Sequence, residues 1–194
     1  YKRQDRDTAA ITSPPPAPKK RHFGVKVLFE DEHIIVANKQ AGLLSVSTDK
    51  MEPDTLHSRV VDYLKSENEK SWAFIVHRLD RETSGVMVFA KHKRHKEYLQ
   101  EQFANRDVHR VYHALVEGKP DKENGTVREW LLEDKFLKVK AVKKNHPKAK
   151  EAITHYNIVD FDEFASLIQL TIETGRRHQI LSLIHISEPT RRSM

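Results

Sequence analysis

The second half of the chain alternates apolar and polar residues in closely spaced segments, and this alternation restricts the fold more than any other feature. In FASLIQLTIETG (164–175) every second residue is apolar: Ile168, Leu170 and Ile172. That is the period of a β-strand with one buried face. Three strand-like segments precede it after Gly125, namely TVREWLL, FLKVKAV and EAITHYNIV. We therefore expect a largely antiparallel sheet in this half.

The first half contains shorter strand signals and two helix signals. VKVLFE and HIIVANK are β-branched runs separated by Asp31 and Glu32, which predicts a hairpin. AFIVHR, VMVFAK and VHRVYHALVEG are also interpreted as strands, and Gly118 closes the last of them.

Helical spacing defines the other elements. TLHSRVVDYLKSEN places Leu56, Val60, Val61 and Leu64 on one face, with Asp54 or Thr55 as the N-cap. HKRHKEYLQEQFANR predicts a charged amphipathic helix. The predicted fold class is α+β, a largely antiparallel mixed sheet with flanking helices.

Length and composition indicate one globular domain. The chain has 194 residues, 38% of them apolar, which is enough for a single core. It has no cysteine, which excludes disulfides and thiolate metal sites. No apolar run approaches the roughly 20 residues of a membrane helix. We expect a cytoplasmic protein that does not associate with a membrane.

The net charge of +6 points to a polyanionic partner, but most of it lies at the two ends. Residues 1–22 contribute +4 and residues 181–194 contribute +1, which leaves +1 for residues 23–180. The Pro-rich segment TSPPPAPKKRH predicts that 1–22 is a basic linker or arm, followed by a domain over 23–180. Any nucleic-acid contact on the domain must come from local patches.

The first candidate for chemistry is Asp80, which lies between Arg78 and Arg81 with strand-like segments on both sides. A structural ion pair with either arginine would explain this crowding. So would a catalytic carboxylate that neighbouring cations keep ionised, because an opposite charge lowers a carboxyl pKa. The following ETSG contains turn-forming residues that could present Asp80 on a loop.

Two further segments carry reactive or hydrogen-bonding side chains. In the strand HRVYHAL, Tyr112 shares a face with Arg110 and Ala114, so it is a core residue unless it lies beside Asp80. The strand ending in ETGRRHQI presents four consecutive hydrogen-bonding residues, 176–179. An arginine there could pair with Asp80 or a phosphate and a glutamine could contact a base edge, or the strand end is simply solvated.

The sequence gives no indication of a metal or a nucleotide cofactor. His92 and His95 lie on a segment rich in Lys and Arg, which would repel a cation, and there is no HExxH motif. The phosphate-binding patterns GxGxxG and GxxxxGK[ST] are absent as well. We expect no cofactor and no metal.

Four segments, in this order, resemble motifs of the RluA-type pseudouridine synthases. VLFEDEHIIVANKQAGLLSV is similar to the first motif, although Gln40 stands where a proline usually follows the lysine. HRLDRETSGVMVFAK resembles the signature around the catalytic aspartate, VYHALVEG the tyrosine segment, and LTIETGRRHQI the third motif. The resemblance covers roughly 25–180, and its HRLD-x-x-TSG pattern is highly specific.

The resemblance implies a cofactor-free enzyme that isomerises uridines in RNA to pseudouridine. Asp80 would be the essential catalytic residue, Tyr112 would stack on the target base, and Arg176 would pair with Asp80. Arg78 would help to displace the base, and the remaining expected RNA contacts are His77, Arg110, His178 and Gln179. We expect a monomer acting on ribosomal RNA, most often that of the large subunit, or on transfer RNA. A non-catalytic RNA-binding module is the alternative.

The last fourteen residues depart from the family pattern. LSLIHISEPTRRSM (181–194) resembles the translation of a transposase adapter used in sequencing libraries. We expect it to be non-native and the natural protein to continue differently after Ile180. The strand that carries Arg176 would then lack neighbours, so we expect a chain with this ending to have low stability and low activity.

Overall fold

The computed structural model describes residues 24–48, 51–134, 139–176 and 178–180. The predicted arm (1–22) and the predicted non-native tail (181–194) lie outside the described residues. The chain divides into two compact units, a first unit over Tyr1–His92 and a second unit over Lys93–Met194.

The described residues of the first unit form a four-stranded antiparallel sheet and one helix. Its elements are β1 (Lys26–Glu30), β2 (Ile34–Lys39), α1 (Leu56–Glu67), β3 (Phe74–Ile75) and β4 (Gly85–Ala90). The strand order is β1-β2-β4-β3. Asp31 closes the β1–β2 hairpin, because its Oδ1 accepts hydrogen bonds from the backbone N–H groups of His33 and Ile34, both at 2.7 Å. The predicted hairpin is confirmed.

Helix α1 begins at a capping box. The Thr55 hydroxyl accepts from the Ser58 N–H, and the Ser58 side chain accepts from the Thr55 N–H. Of the two predicted caps, Thr55 is therefore correct. The predicted apolar face is also confirmed, and Tyr63 joins it; the buried residues are Leu56, Val60, Val61, Tyr63 and Leu64.

Strand β3 has two residues, whereas the sequence predicted six. If β3 continued in register, Val76 would face Val88. Instead the backbone N–H of Val88 donates to Nε2 of His77 at 3.1 Å. A side chain thus occupies the donor that a longer strand would use, and the chain leaves the sheet to form the loop that carries Asp80.

The described residues of the second unit include helix α2 and a five-stranded antiparallel sheet. Its elements are α2 (Lys93–Asn105), β5 (Val111–Glu117), β6 (Asn124–Glu133), β7 (Val139–Val142), β8 (Lys150–Phe161) and β9 (Ala165–Ile172). The strand order is β5-β9-β8-β6-β7. Burial alternates strictly along β9, as its sequence predicts. The core cluster consists of Ile168 and Leu170, with residues from β5, β6 and β8 packed against it.

The α+β class with antiparallel pairing is confirmed, but the described strands form two sheets rather than one. Apolar periodicity identifies the strands and their buried faces. It does not specify which strands pair, because that depends on contacts distant in sequence. Among the described residues, no helix combines the length and apolarity needed to cross a membrane.

Candidate active site

Asp80 lies half-buried on the loop that joins β3 to β4. The N–H of Thr83 donates to the carbonyl of Asp80 at 3.2 Å, so residues 80–83 form a turn. Gly85 ends the loop with a φ of +134°, a backbone conformation that side chains disfavour. The turn-forming role predicted for ETSG is confirmed.

A buried serine fixes the backbone immediately before Asp80. The hydroxyl of Ser45 donates to the carbonyl of Leu79 at 2.6 Å and accepts from the N–H of Leu79 at 3.0 Å. Ser45 is only 2% exposed and Leu79 only 8% exposed. Because water cannot replace these bonds, one side chain determines the position of the residue before the carboxylate.

A buried lysine fixes the backbone immediately after Asp80. The ammonium of Lys39 donates to the carbonyls of Gln40 (3.1 Å), Leu43 (2.5 Å) and Arg81 (2.8 Å). The N–H of Gly42 also donates to the Arg81 carbonyl, at 2.9 Å. The segment 39–45 therefore braces the Asp80 loop on both sides.

Burial lowers the pKa of Lys39, and the nearby carboxylates of Glu82 and Asp80 act in the opposite direction. The positive charge is thus buried close to Asp80. The sequence motifs predicted no role for Lys39 or Ser45. A signal for Lys39 was present, because the period of two along β2 places it on the same buried face as Ile35 and Ala37.

The two arginines that flank Asp80 in sequence are exposed. Neither Arg78 nor Arg81 forms an ion pair with another described residue. The explanation of the motif as a local ion pair with these arginines therefore finds no support. His77 accepts from Val88 through Nε2, which requires a neutral ring, and its predicted RNA contact stays a prediction.

Gln179 organises the third motif in the second unit. Its Nε2 donates to the carbonyl of Ile153 (3.1 Å) and to the hydroxyl of Thr154 (2.9 Å). Its Oε1 accepts from the hydroxyl of Thr174 (2.8 Å) and the N–H of Arg176 (3.1 Å). The side-chain amide has then used both donors and both acceptor positions, and Gln179 is only 5% exposed. This arrangement argues against the predicted base contact of Gln179 and gives it a structural role.

The turn that Gln179 stabilises presents the other residues of the motif. Arg176 is exposed, and its Nε donates to the carbonyl of Glu151 at 3.0 Å. His178 has a φ of +52°, in the left-handed region that non-glycine residues rarely adopt. The RNA contact predicted for His178 stays a prediction.

Arg110 packs within the second unit. Its guanidinium lies 5.7 Å from the ring centre of Phe103, and its buried Nε has no hydrogen-bond partner among the described residues. A Cβ at Gly175 would lie 2.8 Å from one of its terminal nitrogens, so the glycine leaves room for this side chain. The RNA contact predicted for Arg110 also stays a prediction.

Tyr112 pairs with Leu170 across β5 and β9 and packs against the core cluster. Tyr112 and Ala114 are half-buried, whereas Val111 and His113 on the opposite face are exposed, as the sequence predicted. Asp80 belongs to the first unit, and Tyr112 and Arg176 belong to the second. The proximity of these three residues, and the pairing of Asp80 with Arg176, stay predictions.

Comparison with known proteins identifies the family. A family model described as RNA pseudouridylate synthase matches residues 33–185. The chain is 37% identical over 157 residues to the dual-specificity RNA pseudouridine synthase RluA of Vibrio cholerae. The matched residues make up 80% of this chain and 61% of the relative. It is 31% identical over 194 residues to the ribosomal large subunit pseudouridine synthase D of Zymomonas mobilis, which covers 96% of this chain and 60% of the relative.

A solved structure supports the same assignment. The human RNA pseudouridylate synthase domain containing 4 matches with a TM-score of 0.69 and 26% identity, over 83% of this chain and 63% of that chain. The chain spans about half to three-fifths of the length of the curated relatives it matches. Sequence motifs, family model, relatives and fold agree, and the chain belongs to the RNA pseudouridylate synthase family, with RluA-type relatives.

Proposed function

We propose that this chain isomerises specific uridines in structured RNA to pseudouridine, with Asp80 as the catalytic residue. The observation that carries the proposal is the bracing of the Asp80 loop by segment 39–45, which holds the backbone on both sides of the carboxylate. Catalysis requires a reacting group to be held in a fixed position. The buried side chains of Lys39 and Ser45 hold the Asp80 loop in a fixed position, as catalysis by Asp80 would require.

The reaction needs no external oxidant, reductant or co-substrate. The bond between uracil N1 and the sugar C1′ breaks, and a bond between uracil C5 and C1′ forms. The hydrogen on C5 leaves as a proton and N1 gains one, so that the overall change is an isomerisation. We assign to Asp80 the assistance of bond cleavage at C1′, as a carboxylate that attacks the sugar or the ring or stabilises an intermediate.

The other roles follow from the chemistry of a buried target base. A uridine in a helix must leave its stack before C1′ can be reached. Tyr112 would provide an aromatic wall for the displaced base, Arg176 would pair with Asp80, and Arg78 would occupy the space that the base leaves. The exposure of Arg78 and the absence of an ion pair with another described residue are consistent with such a contact.

We assign large-subunit ribosomal RNA as the first substrate class. One relative is named as a ribosomal large subunit pseudouridine synthase, and another is named as a dual-specificity RNA pseudouridine synthase. Transfer RNA is the second substrate class. The proposed setting is a monomeric protein in the cytoplasm.

Pseudouridine mapping in cells tests this proposal. RNA is taken from a strain that lacks the gene and from the same strain carrying wild-type protein or Asp80→Asn. We expect one or a few pseudouridines to disappear on deletion, to return with the wild type, and not to return with Asp80→Asn. If Asp80→Asn restores the modification, the protein acts as a binding module and the catalytic role of Asp80 is wrong.

A further inference from the structure

The connection between β7 and β8 concentrates positive charge. Residues 139–150, which we call the lysine hairpin, contain five lysines and no carboxylate: Lys140, Lys143, Lys144, Lys148 and Lys150. The other described residues together contain 17 basic and 24 acidic side chains, a net charge of −7. A polyanion approaching the described part of the chain would therefore be attracted to this hairpin.

The backbone of the hairpin turn is internally hydrogen-bonded. The N–H of His146 donates to the carbonyl of Lys143 at 3.1 Å, and the N–H of Ala149 donates to the carbonyl of His146 at 3.0 Å. The N–H of Lys148 donates to Nδ1 of His146 at 3.3 Å. The lysines are thus carried by a structured turn that connects β7 to β8, and each of these strands pairs with β6.

The five lysines are exposed, and none forms an ion pair with a described residue. Elsewhere, cations of the described part do pair with carboxylates, for example Lys91 with Glu30 at 2.7 Å and Arg128 with Glu151 at 2.7 Å. Because the hairpin ammonium groups form no ion pair with a described residue, binding a phosphate would not require breaking such a pair.

The hairpin continues into the surroundings of Arg176. Lys148, Lys150 and Arg176 line one groove of about 460 Å³. Glu133 and Asp134 line the same groove, so a phosphate would be held on the side of the three cations. A backbone bound by the hairpin would therefore lead to the arginine predicted to serve the active site.

Protection of a sheet edge does not account for this pattern. Strand β7 is an edge strand, and lysines on edge strands prevent unwanted pairing. Only Lys140 lies within β7, however, whereas Lys150 lies on β8, an interior strand paired with β6 and β9. Most of the charge is thus on the turn and beside the groove rather than on the open edge.

We propose that the lysine hairpin binds the phosphate backbone of the RNA substrate and directs it towards Arg176. The proposal rests on the proposed function for the identity of the polyanion. Contacts of this kind are independent of base sequence, and their strength falls with salt because counterions are released from the RNA. The hairpin would supply affinity, while the active site supplies the choice of uridine.

The test compares two triple variants with the same loss of charge. Lys143→Gln, Lys144→Gln and Lys148→Gln are combined in the hairpin variant. Lys26→Gln, Lys70→Gln and Lys122→Gln are combined in the control variant, since these exposed lysines have no ion pair within the described residues. Binding of the full chain to a fluorescein-labelled RNA stem-loop with uridines in the loop is measured over a range of KCl concentrations.

The hairpin variant should bind the stem-loop on the order of tenfold more weakly at about 0.1 M KCl. The slope of log K against log [KCl] should become shallower by about 2, because each of the three lost phosphate contacts contributes roughly 0.7 to 0.9 to the slope. The control variant should match the wild type. Replacing the same three hairpin lysines by arginine should preserve both affinity and slope, which excludes misfolding as the cause.

Equal effects of the two glutamine variants, or no effect of either, would overturn the proposal. It would also be overturned if the hairpin variant lost binding to phosphatidylserine vesicles while its affinity for the stem-loop stayed unchanged. The proposed function is tested separately, by pseudouridine formation with wild type and Asp80→Asn. A protein that forms no pseudouridine but shows the hairpin effect would retain this inference and lose the proposed function.

Discussion

Ser45→Ala tests whether the Asp80 loop is held as described. The substitution removes one oxygen, and with it the donor to the Leu79 carbonyl and the acceptor from the Leu79 N–H. Both backbone groups belong to a residue that is 8% exposed. Each unpaired buried polar group costs about 1–3 kcal/mol, so with two such groups we expect the free energy of unfolding to fall by about 2–6 kcal/mol. Pseudouridine formation should fall as well, because Asp80 follows directly.

The matched control is Ser47→Ala, two residues after Ser45 in the sequence. Ser47 is exposed, and its hydroxyl donates to the Thr48 carbonyl at 3.3 Å, so water can replace that contact. We expect a change of less than about 0.5 kcal/mol. Urea unfolding gives both free energies, and hydrogen exchange of the Leu79 amide reports on the bond itself. Equal unfolding free energies for the two variants, with unchanged Leu79 exchange, would refute the bracing of the loop by Ser45.

Two further predictions concern buried side chains. Lys39→Met leaves the carbonyls that Lys39 contacts without this donor, and we expect it to cost about 2 kcal/mol in urea unfolding at neutral pH. Since burial places the pKa of Lys39 below its ordinary 10.5, the unfolded chain binds more protons between the two values. The free energy of unfolding of the wild type, minus that of Lys39→Met, should therefore rise with pH between these two pKa values. If this difference did not change with pH, the lowered pKa of Lys39 would be contradicted. Gln179→Leu removes four hydrogen bonds and should destabilise by about 2 kcal/mol or more in thermal unfolding, whereas a loss below about 0.5 kcal/mol would mean that the amide is solvated.

The local elements could be predicted because their causes are local. The cap at Thr55 and the apolar face of α1 follow from spacing within fourteen residues, and the buried face of β9 follows from its period of two. The division of the strands into two sheets could not be predicted, because the pairing of β5 with β9 joins segments about fifty residues apart.

In the candidate site, too, residues in a local motif could be predicted and residues with long-range contacts could not. Asp80 is identified by a contiguous and specific motif. The period of two along β2 indicates that Lys39 is buried. Ser45 acts on Leu79 across 34 positions of sequence, and Lys39 acts on Arg81 across 42, so no local pattern shows which backbone groups they contact. Gln179 illustrates the opposite difficulty. Its residue type suggested a contact with RNA, but four internal hydrogen bonds use the amide completely.

The release of tritium from RNA that carries [5-³H]uridine tests directly whether this chain forms pseudouridine through Asp80. The purified chain is used in excess over the RNA, so that a slow single turnover is also detected. Forming the bond from C5 to C1′ expels the C5 hydrogen, so we expect release by the wild-type chain. We expect none by Asp80→Asn, although that variant should still bind the RNA. Equal release by the two proteins, or RNA binding by the wild type with no release at all, would contradict the proposed catalytic role of Asp80.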